Sequence, residues 1–188
     1  VRQVLFGNKE LVNRLIDECE DFVVADTLRP AYMGAYGNPW VRTPNMDRLA
    51  REGVSFSRAY ANSPICTPSR GTIFSGRHSH AGPVAGFFDV YKATAPSTAT
   101  ALRRAGYHTA YFGKWHCGVV RDQIPRVFRD LPASSGNPKS RTAEYHRAGF
   151  QDWAAFEVVN DPFHTFVYQG SETEPRLLEG FQTDVLTD

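Results

Sequence analysis

The apolar positions of the 188-residue chain change period several times, and each change predicts an element. Val1 to Phe6 is a short, strand-like apolar piece. Between Asn8 and Glu20, Leu11, Val12, Leu15, Ile16 and Cys19 fall on one face of a helix, with Lys9, Glu10, Arg14, Asp17 and Glu18 around the rest. Phe22-Val23-Val24-Ala25 is a continuous apolar run, the pattern of a strand buried on both faces. Thr43-Pro44 opens a helix, with Thr43 as N-cap, Pro44 at the first helical position, and Met46, Leu49 and Ala50 as the apolar stripe. Gly53 ends it, and Val54, Phe56 and Ala59-Tyr60 form the next strand. Pro68 predicts a helix from about Thr67 through Phe74, closed by Gly76. A further helix runs from Ala95 to Ala105 and stops at Gly106; Tyr107 to Phe112 is the strand after it. Leu131 to Thr142, rich in Pro, Ser, Gly and Lys, reads as a surface loop. The strand–helix–strand order predicts an α/β fold with a parallel sheet.

Composition narrows the classes. Apolar residues make up 41% and charged residues 22%, so the chain is globular, with length enough for a real core. The net charge of +1 gives no basis for binding nucleic acid or an anionic membrane. No apolar run reaches the length of a membrane span. The N-terminus lacks a basic-then-apolar signal pattern. A periplasmic or secreted location requires that a signal has been removed; otherwise the expectation is cytoplasmic. The three cysteines, Cys19, Cys66 and Cys117, match neither a disulfide framework nor a zinc motif.

Candidate chemistry concentrates between Asn62 and His80. With a helix starting near Thr67, Cys66 sits at its N-terminus, where backbone N–H groups and the dipole attract anions. Arg70 lies one turn below on the same face. A reactive sulfur beside a fixed guanidinium at such a helix end suits a negatively charged substrate. A buried structural cysteine is the plain alternative. Asp26 stands at the carboxyl end of the first apolar strand, where ligands of open α/β sheets gather and a carboxylate suits a hard cation. It reads equally as a turn or helix cap. At the end of the Tyr107–Phe112 strand, Lys114 and His116 alternate with Trp115, which puts cation and imidazole on one face for anion binding and proton transfer. The plain reading of that pair is a surface lysine and a core histidine. His164, in the aromatic-rich stretch Phe156 to Tyr168, reads as a core or surface histidine before a substrate contact.

Cys66-Thr67-Pro68-Ser69-Arg70, followed by Gly71 and by Ser75-Gly76-Arg77, resembles the signature of the formylglycine-dependent sulfatases. Gly106-Tyr107 through Gly113-Lys114-Trp115-His116 resembles that family's second signature. Val24-Ala25-Asp26-Thr27-Leu28-Arg29-Pro30 resembles its N-terminal metal motif, with Thr27 where a second Asp is common. Gly149 to Trp153 resembles a packing segment of the family, and Gly180 to Asp188 the start of its next helix. The resemblance covers Phe22 to Asp188. It implies an α/β fold of the alkaline-phosphatase-like kind, a mostly parallel sheet sandwiched between helices and incomplete at the C-terminus. Residues 1–21 are then an N-terminal helical extension, and 22–188 the N-terminal part of the catalytic domain.

The resemblance further implies hydrolysis of a sulfate ester or sulfamate, on a small molecule or a glycan. A maturation enzyme would convert Cys66 to formylglycine, whose hydrated gem-diol attacks sulfur with one oxygen. The other oxygen then loses a proton, expelling sulfate and regenerating the aldehyde. Arg70 would hold the gem-diol charge, Lys114 would touch nucleophile and sulfate, and His116 would assist proton transfer. Asp26 and the residue-66 diol would ligate calcium. The family's remaining metal pair, and a further His and Lys at the sulfate, are expected beyond Asp188. Three other readings remain. They are a phosphonate or phosphate ester hydrolase of the same superfamily, a thiol hydrolase with Cys66 unmodified, and an inactive truncated fragment that keeps the signature.

Overall fold

The apolar run before Asp26 forms a strand, but a short and open one. In the structure, a computed structural model describing residues 5–6, 22–26, 28–87, 89–118, 140–157 and 162–187, the strand β2 comprises Val23–Val24. It pairs antiparallel with β1, Leu5–Phe6. A strand buried on both faces needs a layer over each, and a two-residue partner supplies neither. Phe22 is 56% and Val23 47% exposed. The helix expected over Asn8–Glu20, most of the Leu131–Thr142 loop and the residues 119–139 lie outside the described residues.

The chain divides into two units, Val1–Ala61 and Asn62–Asp188. In the first, α1 spans Pro44–Glu52 with proline in its first turn, as the sequence predicts. Thr43 does not cap it through a backbone N–H. Its hydroxyl instead donates to Asp47 Oδ1 at 2.9 Å and accepts from the Gly34 N–H at 2.9 Å. Asp47 Oδ1 also accepts from the Ala35 N–H at 2.7 Å, which ties α1 to the turn Gly34–Tyr36. The strand expected at Val54–Tyr60 is absent: Val54 is 81% and Phe56 71% exposed, and no described strand supplies the ladder this segment would need.

The second unit holds the core. Helix α2, Cys66–Ser75, begins one residue earlier than expected and ends at Gly76, whose φ of 66° is the left-handed turn that glycine adopts without strain. Helix α3, Thr98–Arg104, starts at a capping box in which Ser97 and Thr100 satisfy each other's backbone N–H. The sheet runs β3 (Ala110–Lys114), β4 (Asp152–Phe156), β5 (His164–Gln169) and β6 (Arg176–Glu179), in that spatial order. β3 and β4 are parallel, with Lys114 opposite Phe156, and the two later pairs are antiparallel. This part of the sheet is therefore mixed. The long segment between β3 and β4 allows a parallel crossover, whereas the short links from β4 to β5 and β5 to β6 allow only hairpin-like pairing. Helix α4, Gln182–Thr187, follows.

Trp115 is the centre of the core. It stacks on Phe74 of α2 at 4.7 Å between centroids and meets Trp153 of β4 edge-on at 5.2 Å. Tyr91, Phe150 and Tyr111 close around it. Full burial of so large a ring makes truncation costly, about 3–5 kcal/mol for Trp→Ala. A second cluster, Phe156 with Val167, lies against Leu178 and Leu186.

Candidate active site

Two elements bring the candidate residues together. Pro68 fixes φ and has no N–H, so it fits the first turn of α2, which is closed by the Ser69 N–H on the Ile65 carbonyl at 3.0 Å. Cys66, half-buried, is then the first residue of the helix. Thr67, Pro68, Ser69, Arg70 and Gly71 are buried behind it. Gly71 allows the helix to approach Val84 closely: a Cβ there would stand 2.5 Å from the Val84 Cβ.

The other element is the carboxyl end of β3. Trp115 enters the core and its N–H bonds the Phe156 carbonyl at 2.7 Å. Lys114 and His116 flank it, half-buried and buried respectively. The sequence expectation placed both on one strand face by alternation. The strand instead stops at Lys114, and His116 takes a left-handed conformation with φ 53°. That conformation is unfavourable for a residue with a Cβ, so it persists where neighbours over-determine it. The His116 ring meets Phe87 edge-on at 5.1 Å.

Arg70 joins the two elements. Its Nη1 donates to the Lys114 carbonyl at 2.5 Å and to the Tyr111 hydroxyl at 3.3 Å, and the Tyr111 hydroxyl donates to the same carbonyl. The guanidinium is thereby buried at the strand end. Cys117 adds a second tie, its Sγ lying 3.5 Å from the Thr67 carbonyl. Burial, and then the nearby Glu157 carboxyl, push the Cys117 thiol far up, so it stays a neutral packing group. Burial also drives the Tyr111 hydroxyl upward, against the pull of Arg70.

Asp26 belongs to the other unit, exposed at the end of β2; Cys66, Arg70, Lys114 and His116 belong to the second. Among the described residues, no three His, Cys, Asp or Glu side chains gather as a metal cluster. A hard cation such as calcium takes six to eight oxygens. An unmodified Cys66 would offer it a soft sulfur, and Asp26 one carboxylate. These residues alone do not fit a complete calcium site. His164 is exposed on β5.

The sequence reading missed Glu157. It follows the last residue of β4 and is 1% exposed. Thr142 Oγ1 donates to its Oε1, and the Gly118 N–H reaches Oε2 at 3.2 Å. Burial raises it to about 7, against the lowering pull of these donors, of Arg70 and of the Cys117 N–H. The signal was available: a carboxylate ending an apolar strand, the same rule that selected Asp26. Arg147, also buried, is structural. It donates to the Gly170 carbonyl at 2.6 Å and lies 5.1 Å from the Trp153 ring centre.

Fold and site describe an α/β protein in which a buried guanidinium ties the first turn of a helix to the carboxyl end of a strand. The chain belongs to the sulfatase family: the family model of that name matches residues 22–178. It is similar to steryl-sulfatase of Mus musculus, 42% identical over 108 residues, covering 52% of this chain and 17% of that protein. It is similar to an ulvan-active sulfatase of Formosa agariphila, 34% identical over 144 residues, covering 74% of this chain and 24% of that protein. A solved structure from a glycosaminoglycan-metabolising locus of Bacteroides thetaiotaomicron superposes with a TM-score of 0.67 at 21% identity, covering 82% of this chain and 35% of that one. Another, solved in complex with its substrate D-glucosamine-2-N,6-O-disulfate, gives 0.61 at 24% identity, covering 83% and 26%. The fold is thus the alkaline-phosphatase-like α/β fold of sulfatases. The chain spans about a quarter or less of the length of these curated relatives.

Proposed function

We propose that the protein carrying this chain is a sulfuric ester hydrolase. In this reading Cys66, oxidised by a maturation enzyme to formylglycine, supplies the nucleophile. The observation that carries it is the Arg70–Lys114 carbonyl bond, which draws the start of the Cys66 helix to the strand end holding Lys114 and His116. Negative charge builds on the oxygens of a sulfuryl group as its ester bond breaks, and fixed cations stabilise it most when buried and preorganised. Arg70 is held in this way for the charge of the residue-66 diol, and Lys114, at the same strand end, would contact nucleophile and sulfate. His116 moves the proton at residue 66. Tyr111 and Thr67 keep the site's floor rigid.

Calcium, supplied when bound, would add Lewis-acid stabilisation of the sulfate oxygens. This chain's contributions to it are Asp26 and the oxygens of the modified residue 66, and no step above is routed through the ion. The substrate class is a sulfate ester of a small molecule or a glycan, the range spanned by the names of the relatives.

The test is to express the enzyme with and without a formylglycine-generating maturation enzyme. Hydrolysis of an aryl sulfate is then compared with that of an aryl phosphonate. Maturation-dependent turnover of the sulfate in clear excess over the phosphonate is expected. A preference for the phosphonate points to the sister chemistry, and iodoacetamide-sensitive turnover without maturation points to a thiol hydrolase; either overturns the proposal.

A further inference from the structure

His116 is held from both sides by neighbouring residues of one strand end. On its N-terminal side, Trp115 is locked in the core and its N–H bonds the Phe156 carbonyl at 2.7 Å. On its C-terminal side, Cys117 is buried and its carbonyl accepts from the Tyr91 N–H at 2.6 Å. The Gly118 N–H donates to the Glu157 carboxyl at 3.2 Å, and the Cys117 N–H lies near the same carboxyl. Phe156 and Glu157 are consecutive, so the end of β4 grips the loop before and after His116.

Glu157 is not a passive core residue. An isolated buried carboxyl is costly unless its oxygens are bonded. Here it takes the Thr142 hydroxyl and the Gly118 N–H, in the loop that carries a strained histidine. The fit leaves no slack: a Cβ at Gly118 would collide with Glu157 Oε1 and Thr142 Cγ2. Arg70 of α2, Tyr111 of β3 and Cys117 are the charged or titratable groups that act on this carboxyl or feel it.

We propose that Glu157 is a positioning residue for His116: its carboxyl clamps the Gly118 amide, two residues on, and thereby holds His116 in its left-handed conformation at the carboxyl end of β3. The proposal rests on the reading of His116 as the proton-transfer group, but the clamp itself is measurable without any turnover. Substitution of the carboxyl releases the Gly118 amide, and the imidazole loses its fixed position while Lys114 remains able to hold the sulfate. The defect therefore falls on kcat and on the pH profile more than on KM. Glutamine preserves the clamp, because its amide oxygen accepts the Gly118 N–H while its NH2 donates to the Thr142 hydroxyl, which can reverse.

The experiment compares wild type, Glu157→Ala, Glu157→Gln and Gly118→Ala in the full-length enzyme matured at residue 66. Amide hydrogen exchange is read at residue 118, and kinetics are taken across pH. In Glu157→Ala and Gly118→Ala this amide is expected to exchange at least about tenfold faster, with α2 and β4 still protected. Their kcat is expected to fall about ten- to a hundredfold with KM within about twofold, and the pH limb that His116→Ala removes is expected to move. Glu157→Gln should return both readouts close to wild type. Unchanged exchange at Gly118 in Glu157→Ala overturns the clamp, as does loss of protection spread evenly through the second unit. Lost protection with unchanged kcat and pH profile overturns the positioning role. If Glu157→Ala does not fold, Thr142→Val, which removes one donor to the same carboxyl, decides by the same readouts. An enzyme inactive on every sulfate ester sinks the proposed function, and the exchange data still judge the clamp.

Discussion

Gly71→Ala tests how closely the Cys66 helix is pressed onto the core. In an exposed helix this change stabilises by about 1 kcal/mol, since alanine loses less backbone freedom than glycine. At Gly71 the added methyl would stand 2.5 Å from Val84 Cβ, 2.9 Å from its Cγ2 and 3.3 Å from its Cγ1. Val84 is fully buried, and its Cβ is anchored to the backbone, so no side-chain rotation relieves the nearest contact. Overpacking of this kind costs about 1–3 kcal/mol. Set against the propensity gain, the expected net change is a loss of up to about 2 kcal/mol. The strain should also displace α2, which carries Cys66 and Arg70, so turnover should fall more than stability alone explains. Urea denaturation followed by tryptophan fluorescence suits the measurement, because Trp115 and Trp153 are both buried in the second unit. Glycine at position 84 supplies the control. In the Val84→Gly background Gly71→Ala should cost little or should stabilise, giving a coupling of about 0.5–3 kcal/mol. A stabilisation by Gly71→Ala alone, of the size seen in a free helix, would refute the close approach and the packing argument built on it.

Other outcomes follow from the same geometry. Lys114→Ala should lower kcat by about a hundred- to a thousandfold, the loss of one preorganised donor, and steady-state kinetics on an aryl sulfate checks it. Glu157 is raised in the folded state to about 7 from 4.5, so the fold binds more protons than the unfolded chain between those values. Glu157's contribution to stability is therefore fully present below about pH 4.5 and is lost, by roughly 3 kcal/mol, as pH rises through 7; denaturation at several pH values should show a difference of this sign between wild type and Glu157→Gln. Pro68→Ala and Arg70→Ala should each reduce conversion of Cys66, read by mass spectrometry of the tryptic peptide after co-expression with the maturation enzyme. The 188-residue chain by itself, offering Asp26 and residue 66 as cation ligands, should bind calcium weakly in titration calorimetry and show negligible turnover; tight binding with turnover would mean that other residues here complete the site.

Much of the candidate site was legible because its signals are local. Pro68 and Gly76 mark a helix by their own backbone limits, so the placement of Cys66 and Arg70 needed no tertiary knowledge. Thr43-Pro44 marked a helix start in the same way, whereas the helix expected from Ala95 begins only at Thr98, after the Ser97 cap. The clustering of Lys114, Trp115 and His116 was visible as a strand ending in polar groups. Tertiary structure decided how that strand ends. Two rings and the Phe156 carbonyl claim Trp115 before the alternation can continue, and His116 is bent into a left-handed turn. Glu157 stayed hidden because its meaning depends on Gly118 and Thr142, which are 39 and 15 residues away in the chain. The mixed sheet and the open strand at Val23–Val24 were also beyond the local pattern. An apolar run states that a segment prefers burial, but which neighbour covers it, and in which direction that neighbour runs, is set by chain connections that no single segment records.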